Sequence, residues 1–314
     1  MATLNLRSRT VNTPSGEGNT TPTQTDAASD ATPDSFAGPS SEARFAVAEW
    51  TGEGEGEKAL IYGPSGMGKT SLAALAPSPV FLGVDDGARK IRLPDGSPLR
   101  AITGVRSFAD AREAIKAPGI LSPDDTLVVD TVTRLEELAE LYVFDNYKTE
   151  DRKRVTSLEG YGFGKGYRFL FETMRLFLQD LDGLVKRGVN VCLIAQESAQ
   201  PTVNAEGLDY LQAGPKLLHN KSWSVRTMYC EWVDHVVRVQ HPDTTVAAIG
   251  QLKNATKGKL VSTDTTRLLA VQGARHFLAK SRTLCGIEAV SFKSPSDDSL
   301  WQLLAEAGAG VGAK

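Results

Sequence analysis

The chain has 314 residues, of which 41% are hydrophobic and 23% charged, as in an ordinary soluble globular protein with one large or two small domains. A formal net charge of −3 at pH 7 excludes a generally basic protein, although a local basic patch on an acidic body remains compatible with nucleic-acid binding. Three widely spaced cysteines argue against a metal site or a disulfide framework, and the absence of a membrane-spanning or secretory apolar run predicts a cytoplasmic protein.

The first 42 residues differ in composition from the rest of the chain. They consist mainly of Ser, Thr, Pro, Gly, Asp and Ala, with few large apolar side chains. Such a segment cannot bury enough surface to offset the entropy lost on ordering. We therefore predict a disordered tail over residues 1–42, either passive or partner-binding, and a folded domain over residues 43–292. Residues 293–314 should hold one short helix, Ser299–Ala305, and a flexible end.

The stretch KALIYGPSGMGKTSLAAL, Lys58–Leu75, matches the P-loop pattern G-x-x-x-x-G-K-[ST] at every fixed position. An apolar strand precedes the loop, and a helix is expected from Thr70 until Pro77 stops it. The glycines let the loop amides face phosphate oxygens, Lys69 can reach the β- and γ-phosphates, and the Thr70 hydroxyl can complete a Mg²⁺ shell. The alternative is a glycine-rich turn that binds nothing. The predicted nucleotide-binding residues are Gly63, Pro64, Ser65, Gly66, Met67, Gly68, Lys69, Thr70 and Ser71.

Carboxylates follow two predicted strands of the same sheet. The apolar run Pro79–Val84 leads into Asp85 and Asp86, where a carboxylate could activate a water for hydrolysis; the alternative is a solvated turn that caps the next helix. The apolar run 126–129 ends at Asp130, which is the Walker B pattern. In that pattern the carboxylate holds Mg²⁺ opposite the P-loop threonine, and the alternative is a simple strand-end aspartate.

The middle of the chain alternates predicted helices with a basic loop. Ser107 begins a capping-box motif and a helix that runs through Ile115, and helical periodicity predicts further helices over Thr133–Tyr147 and Phe169–Val185. Between these two helices, residues 148–168 interleave glycine, aromatic and basic residues. This composition suits single-stranded nucleic acid, through base stacking and phosphate contacts, but the aromatic rings could equally fold back on the core.

The next predicted buried strand, Asn190–Gln196, ends in an amide at the same sheet edge as Asp130. Gln196 could sense a γ-phosphate and relay its presence to the following segment, or it could only satisfy nearby backbone groups. We expect the segment Glu197–Asn220 to be a long polar loop, and a loop of this length inside a compact domain is usually functional or disordered.

The C-terminal part is predicted to complete the sheet. Residues Glu231–Val239 become a strand, with Thr245–Ile249 as a candidate hairpin neighbour. The segment RHFLAKSR ends in Lys280 and Arg282, which point the same way on an extended strand. These two cations could contact a phosphate, including one bound to a neighbouring subunit, or form a charged edge that discourages aggregation.

Taken together, these segments resemble the RecA-like P-loop ATPases. The nearest resemblance is to phage-encoded nucleotide-binding proteins related to single-strand annealing recombinases and to bacterial RadA. The resemblance implies an α/β fold with a mainly parallel central sheet flanked by helices and with antiparallel C-terminal strands. The segments that carry it lie between about Lys58 and Arg282 and are IYGPSGMGKTSLA, VFLGVDDG, TLVVDTVT, YGFGKGY, VCLIAQES, EWVDHVVRV and AKSR.

The resemblance also implies roles for particular residues. Asp85, with Asp86 as a rival, takes the position of the catalytic carboxylate, and Gln196 matches the glutamine that links the γ-phosphate to a DNA-facing loop. Lys280 and Arg282 look like the cations that such proteins give to the ATP of the adjacent subunit. The implied cofactors are ATP and Mg²⁺. The implied partners are single-stranded DNA, further copies of the chain in a ring or filament, and a single-strand-binding protein, with no membrane.

Three functions follow from this pattern. The leading one is an ATP-dependent, DNA-stimulated ATPase of phage-type recombination or single-strand annealing, with ATP bound between subunits. The second is a nucleotide-dependent adaptor or loader that hydrolyses little ATP and recruits replication or recombination proteins. The third is a P-loop small-molecule kinase with the stretch 152–154 as its lid. ATPase activity with and without single-stranded DNA separates the first two.

Overall fold

The computed structural model describes residues 54–84, 87–149, 153–202, 207–242, 245–246, 259–260 and 266–311. The chain divides into two compact units, Met1–Glu49 and Trp50–Lys314, and every described residue belongs to the second. The predicted tail, the candidate carboxylates Asp85 and Asp86, and Arg152 all lie outside the described residues.

One sheet of ten strands forms the centre of the domain, and a separate pair of two-residue strands lies apart from it. The strands of the described residues, in chain order, are β1 (Lys58–Gly63), β2 (Pro79–Leu82), β3 (Arg100–Ile102), β4 (Thr126–Asp130), β5 (Asn190–Thr202), β6 (Tyr210–Pro215), β7 (His235–Gln240), β8 (Thr245–Val246), β9 (Lys259–Leu260), β10 (Arg267–Ala270), β11 (Lys280–Ser281) and β12 (Ala289–Phe292).

The main sheet has the order β12-β10-β7-β1-β5-β4-β2-β3, with β6 added to β5 and β11 added to β7. The six strands from β7 to β3 are parallel, whereas β10, β11 and β12 pair antiparallel. This arrangement confirms the predicted α/β fold with antiparallel C-terminal strands. It also places the P-loop strand β1 between β5 and β7, so that β5 separates β1 from the Walker B strand β4.

Helices cover both faces of the sheet, which is why the central strands β1, β4 and β5 are continuous apolar runs. On one face, α2 to α5 pack over Leu60 and Tyr62 of β1; on the other face, α1 and α6 pack over Ile61. None of the helices described in the structure is long and apolar enough to cross a membrane. The helices are α1 (Lys69–Ala73), α2 (Phe108–Lys116), α3 (Val132–Asn146), α4 (Lys165–Val185), α5 (Val225–Trp232) and α6 (Ser299–Val311).

Several helix boundaries differ from the prediction. The capping box is confirmed, since the Ser107 hydroxyl accepts from the Asp110 amide and the Asp110 carboxylate accepts from the Ser107 amide. However, α1 ends earlier than expected, at Ala73, and α4 begins four residues earlier, at Lys165. The early start of α4 shortens the predicted basic loop. Glycine at position 166 lets the first turn of α4 pack closely against the backbone of Leu158, since a Cβ there would lie 2.2 Å from the Leu158 carbonyl oxygen.

The prediction of a long polar loop after Gln196 was wrong. Strand β5 continues to Thr202 and pairs antiparallel with β6, from Glu197 opposite Pro215 to Thr202 opposite Tyr210, and a helix, α5, follows. We call these paired strands, residues 197–202 and 210–215, the β5–β6 hairpin. Backbone pairing rather than an apolar side-chain pattern holds this hairpin together, so periodicity does not reveal it.

Two C-terminal expectations also change. Thr245 and Val246 pair with β9 and not with β7, and the remaining residues of that candidate neighbour, 247–249, lie outside the described residues. Helix α6 runs to Val311 and is longer than the predicted short helix. Leu300 and Leu304 anchor its first turns in the core on the α1 and α6 side of the sheet, which we call the second core.

Candidate nucleotide-binding site

The P-loop connects β1 to α1 at the carboxyl end of the parallel strands. Its tip, residues 64–66, is exposed, whereas Met67 packs into the second core. Gly66 and Gly68 have φ angles of 79° and 81°, a region that favours glycine. A Cβ on Gly68 would also lie 2.4 Å from Nη1 of Arg267. The two fixed glycines of the pattern are Gly63 and Gly68, and a Cβ on Gly63 would lie 2.5 Å from the carbonyl oxygen of Val239. Their surroundings therefore exclude a side chain at both fixed positions.

Lys69 is buried at the centre of this loop, with 7% of its surface exposed. Its ammonium donates to the carbonyl oxygens of Gly63 at 2.9 Å and Pro64 at 2.8 Å. Burial lowers the pKa of Lys69, while the carboxylates of Asp130 and Glu197 raise it. The loop thus holds a cation at its centre, close to two carboxylates.

Thr70 and Asp130, which lie 60 residues apart in the chain, meet at the predicted metal position. The Thr70 hydroxyl donates to Oδ2 of Asp130 at 2.8 Å, and Asp130 is buried at the end of β4. A hydroxyl and a carboxylate are hard oxygen ligands of the kind that Mg²⁺ prefers. The donor set therefore fits the ion that the P-loop pattern predicts.

Gln196 lies directly beside the P-loop, because β5 places it opposite Gly63 in the parallel register. Its backbone is fixed on both sides: its amide donates to the Thr133 hydroxyl at 3.1 Å, and its carbonyl accepts from the Lys216 amide at 2.7 Å. The predicted sensor position therefore adjoins both the phosphate loop and the base of the β5–β6 hairpin.

An ion pair that the sequence analysis missed flanks the P-loop strand. Glu197 on β5 accepts two hydrogen bonds from Arg238 on β7, at 2.8 and 3.0 Å, and the guanidinium lies 4.9 Å from the ring centre of Phe277. The two side chains are each only 16% exposed. The one available signal was the arginine that interrupts the apolar run HVVRV, since a buried charge requires a partner.

A cavity of about 510 Å³ lies next to Asp130 at the carboxyl ends of β2, β3 and β4. Arg89 and Arg106 contribute to its lining. Ligands of open α/β sheets bind at this edge. Two residues, Gly83 and Val84, separate the end of β2 from Asp85 and Asp86, and these two carboxylates lie outside the described residues.

Lys280 and Arg282 do not join the P-loop of their own chain. Strand β11 pairs with the start of β7, next to Ala59 at the amino end of β1, whereas the P-loop follows the carboxyl end. Four residues of strand, about 13 Å, separate the two levels. The two cations do point the same way, since both reach the carbonyl oxygen of Glu231, and Arg282 also pairs with Asp234 at 2.8 Å.

A second candidate region is a groove of about 500 Å³ between the end of α3 and the start of α4. Its lining includes the cations Lys148, Lys153, Arg154 and Lys165. Of the two predicted roles for the aromatic residues of this stretch, packing on the core and stacking on bases, each fits a different residue. Tyr161 belongs to the core and donates to backbone carbonyls of α3 and its C-cap, whereas Phe163 is fully exposed between Gly162 and Gly164.

The chain was compared with curated proteins and with solved structures. No curated protein matched the chain. Among solved structures, the RadB recombinase has 11% identity and a TM-score of 0.37 over 77% of this chain and 90% of that one. A KaiC-like protein from the archaeon Pyrococcus horikoshii has 12% identity and a TM-score of 0.36, with coverages of 77% and 88%. An ATPase of the type III secretion system of pathogenic bacteria has 14% identity and a TM-score of 0.33, with coverages of 59% and 51%.

The family is shown by a separate match. The model of the AAA_24 family, described as an AAA domain, matches residues 55–283. This span begins just before β1 and ends just after β11, so it contains the P-loop, Asp130 and Gln196. The match covers well over half of the chain, and the protein therefore belongs to the AAA_24 family of AAA domains.

Proposed function

We propose that the protein is an ATP-dependent DNA-binding ATPase of the RecA-like type that acts in recombination or single-strand annealing. The observation that carries the proposal is a complete P-loop with a buried Lys69, whose Thr70 contacts Asp130 at the end of β4 at 2.8 Å. Membership of an AAA domain family supports nucleotide binding at this loop.

The chain's own residues divide the work at this site. Lys69 would exchange its two carbonyl partners for the β- and γ-phosphates, and the loop amides would bind the remaining phosphate oxygens. Thr70 and Asp130 would hold Mg²⁺, which supplies neutralisation of the phosphate charge. Asp85 or Asp86 would orient the attacking water, and Gln196 would contact the γ-phosphate.

Self-association would complete the site. Lys280 and Arg282 lie at the amino edge of the sheet, away from their own P-loop, and we propose that they reach the ATP of an adjacent subunit in a ring or filament. Their shared orientation toward one surface supports this role.

We place single-stranded DNA in the basic groove between α3 and α4. Four cations can contact phosphates there, and the exposed ring of Phe163 can stack on a base. Stacking is worth about 1–3 kcal/mol per base, so Phe163→Ala should weaken single-stranded DNA binding about 5- to 150-fold. Ile120→Ala is the matched control, since it removes another exposed apolar side chain, one that does not line this groove. Equal binding by both variants would argue against this location.

ATP turnover titrated with single-stranded DNA, double-stranded DNA and RNA tests the function. The proposal predicts turnover that single-stranded DNA stimulates and that Lys69→Ala abolishes. ATP binding without turnover would favour the nucleotide-dependent adaptor. Turnover that needs a small-molecule phosphoryl acceptor would favour the kinase.

A further inference from the structure

Thr133 occupies a junction between the candidate metal strand and the β5–β6 hairpin. It lies in the first turn of α3, three residues after Asp130, and is 7% exposed. Its hydroxyl donates to the Lys216 carbonyl at 3.0 Å and accepts from the Gln196 amide at 3.1 Å. One buried hydroxyl therefore holds the residues next to both ends of the hairpin base, using its donor and an acceptor site at once.

A second contact from α3 fixes the chain just beyond the hairpin. Glu136, one turn after Thr133, accepts a hydrogen bond from the Leu218 amide, with 2.9 and 3.1 Å to its two carboxylate oxygens. Residues three apart on a helix lie on one face, so Thr133 and Glu136 together bind the segment 216–218 to α3. The hairpin base and the start of α3 should consequently move as one body.

The other end of this connection is the nucleotide site. Asp130 contacts Thr70 of the P-loop, and α3 begins only two residues after Asp130. A polar cavity of about 400 Å³, which includes Thr133, Gln196 and Lys216 in its lining, lies beside the junction. The cavity leaves room for the first turn of α3 to shift when the ligands of Asp130 change.

We propose that Thr133 is a positioning residue that transmits the occupancy of the nucleotide and metal site to the β5–β6 hairpin. The inference rests on the proposed nucleotide binding, but it names a route through α3 that does not require the Gln196 side chain to touch a phosphate. Coupling between two sites of a protein typically changes an equilibrium at least about fivefold.

Hydrogen–deuterium exchange of the full-length protein, with and without Mg²⁺ and a non-hydrolysable ATP analogue, measures this coupling. In the wild type, the analogue should change the exchange rates of the Lys216 amide and of the β6 amides at least about fivefold. Thr133→Val, which keeps the shape but loses the hydroxyl, should bind the analogue normally and lose this response. Thr133→Ser, which keeps the hydroxyl, should retain it.

Thr126→Val is the matched control, because it removes another buried threonine hydroxyl, bonded to the Pro77 carbonyl at 2.6 Å, from the opposite end of β4. It should lower stability without changing the response. If Thr133→Val still responds like the wild type, the inference is wrong. The wild type alone provides a second test should that variant not fold: analogue binding without any hairpin response refutes the inference, whereas failure to bind the analogue refutes the proposed function.

Discussion

Arg226 offers a stability test of the described packing, because two nitrogens of its buried guanidinium lack hydrogen-bond partners within the part of the chain that the structure describes. The residue is 3% exposed, yet neither Nε nor Nη1 has a hydrogen-bond partner among the described residues. Burial also lowers the pKa of Arg226. Its Nη1 lies 3.2 Å from the point where a Cβ on Gly214 would stand, so the backbone of β6 packs closely against it.

The size of the effect follows from these contacts. Each buried unsatisfied donor costs about 1–3 kcal/mol, and replacing buried charges by apolar side chains of similar volume has stabilised proteins by about 1–4 kcal/mol. Methionine keeps the unbranched stem of Arg226 and removes the charge. Arg226→Met should therefore raise the free energy of unfolding by about 1–3 kcal/mol.

Urea denaturation measures this change as a higher midpoint at an unchanged m-value. Arg238→Met is the matched control, because the same substitution there removes both hydrogen bonds that the largely buried carboxylate of Glu197 accepts from the guanidinium. It should destabilise the protein by about 3–5 kcal/mol. Destabilisation of similar size by Arg226→Met would refute the reasoning, since it would mean that Arg226 has a partner in the folded protein.

Three further predictions concern residues around the site. Burial raises the pKa of Glu136 from the ordinary 4.5 to about 7, so this group's contribution to stability falls by about 3 kcal/mol as pH rises through that interval. Glu136→Gln should flatten the dependence of the free energy of unfolding on pH, measured by urea titrations at several pH values. An unchanged dependence on pH would contradict this prediction. Asp130→Asn should raise at least about tenfold the Mg²⁺ concentration at which ATP increases the melting temperature, because a close charge pair is worth up to about 4 kcal/mol. An unchanged Mg²⁺ requirement would remove Asp130 from the metal site. Trp301→Phe loses the hydrogen bond to the Leu72 carbonyl, 2.7 Å in length, and should cost about 1 kcal/mol in urea denaturation, whereas no loss would show that this tie does not stabilise α1.

Short-range patterns predicted the core of the fold well. The parallel strands appear as apolar runs, and the capping box at Ser107 needs only four consecutive residues. The juxtaposition of Thr70 and Asp130 was also predictable, because both follow parallel strands and the carboxyl ends of parallel strands meet at one edge.

The features that could not be predicted from the sequence all depend on pairing between residues far apart in the chain. The β5–β6 hairpin depends on backbone hydrogen bonds along residues without apolar alternation, so it looked like a loop. The Glu197–Arg238 pair joins residues 41 positions apart on strands that both flank β1, and only the sheet order reveals that they are neighbours. The location of Lys280 and Arg282 likewise depends on the register of β11 against β7.

Calorimetric titration of the full-length protein with ATP and Mg²⁺, beside Lys69→Ala, tests the central claim most directly. The account predicts one ATP bound per chain in the wild type and no detectable binding to the variant, because the alanine lacks the cation at the centre of the loop. Equal ATP binding by both proteins, or none by a folded wild type, would contradict it.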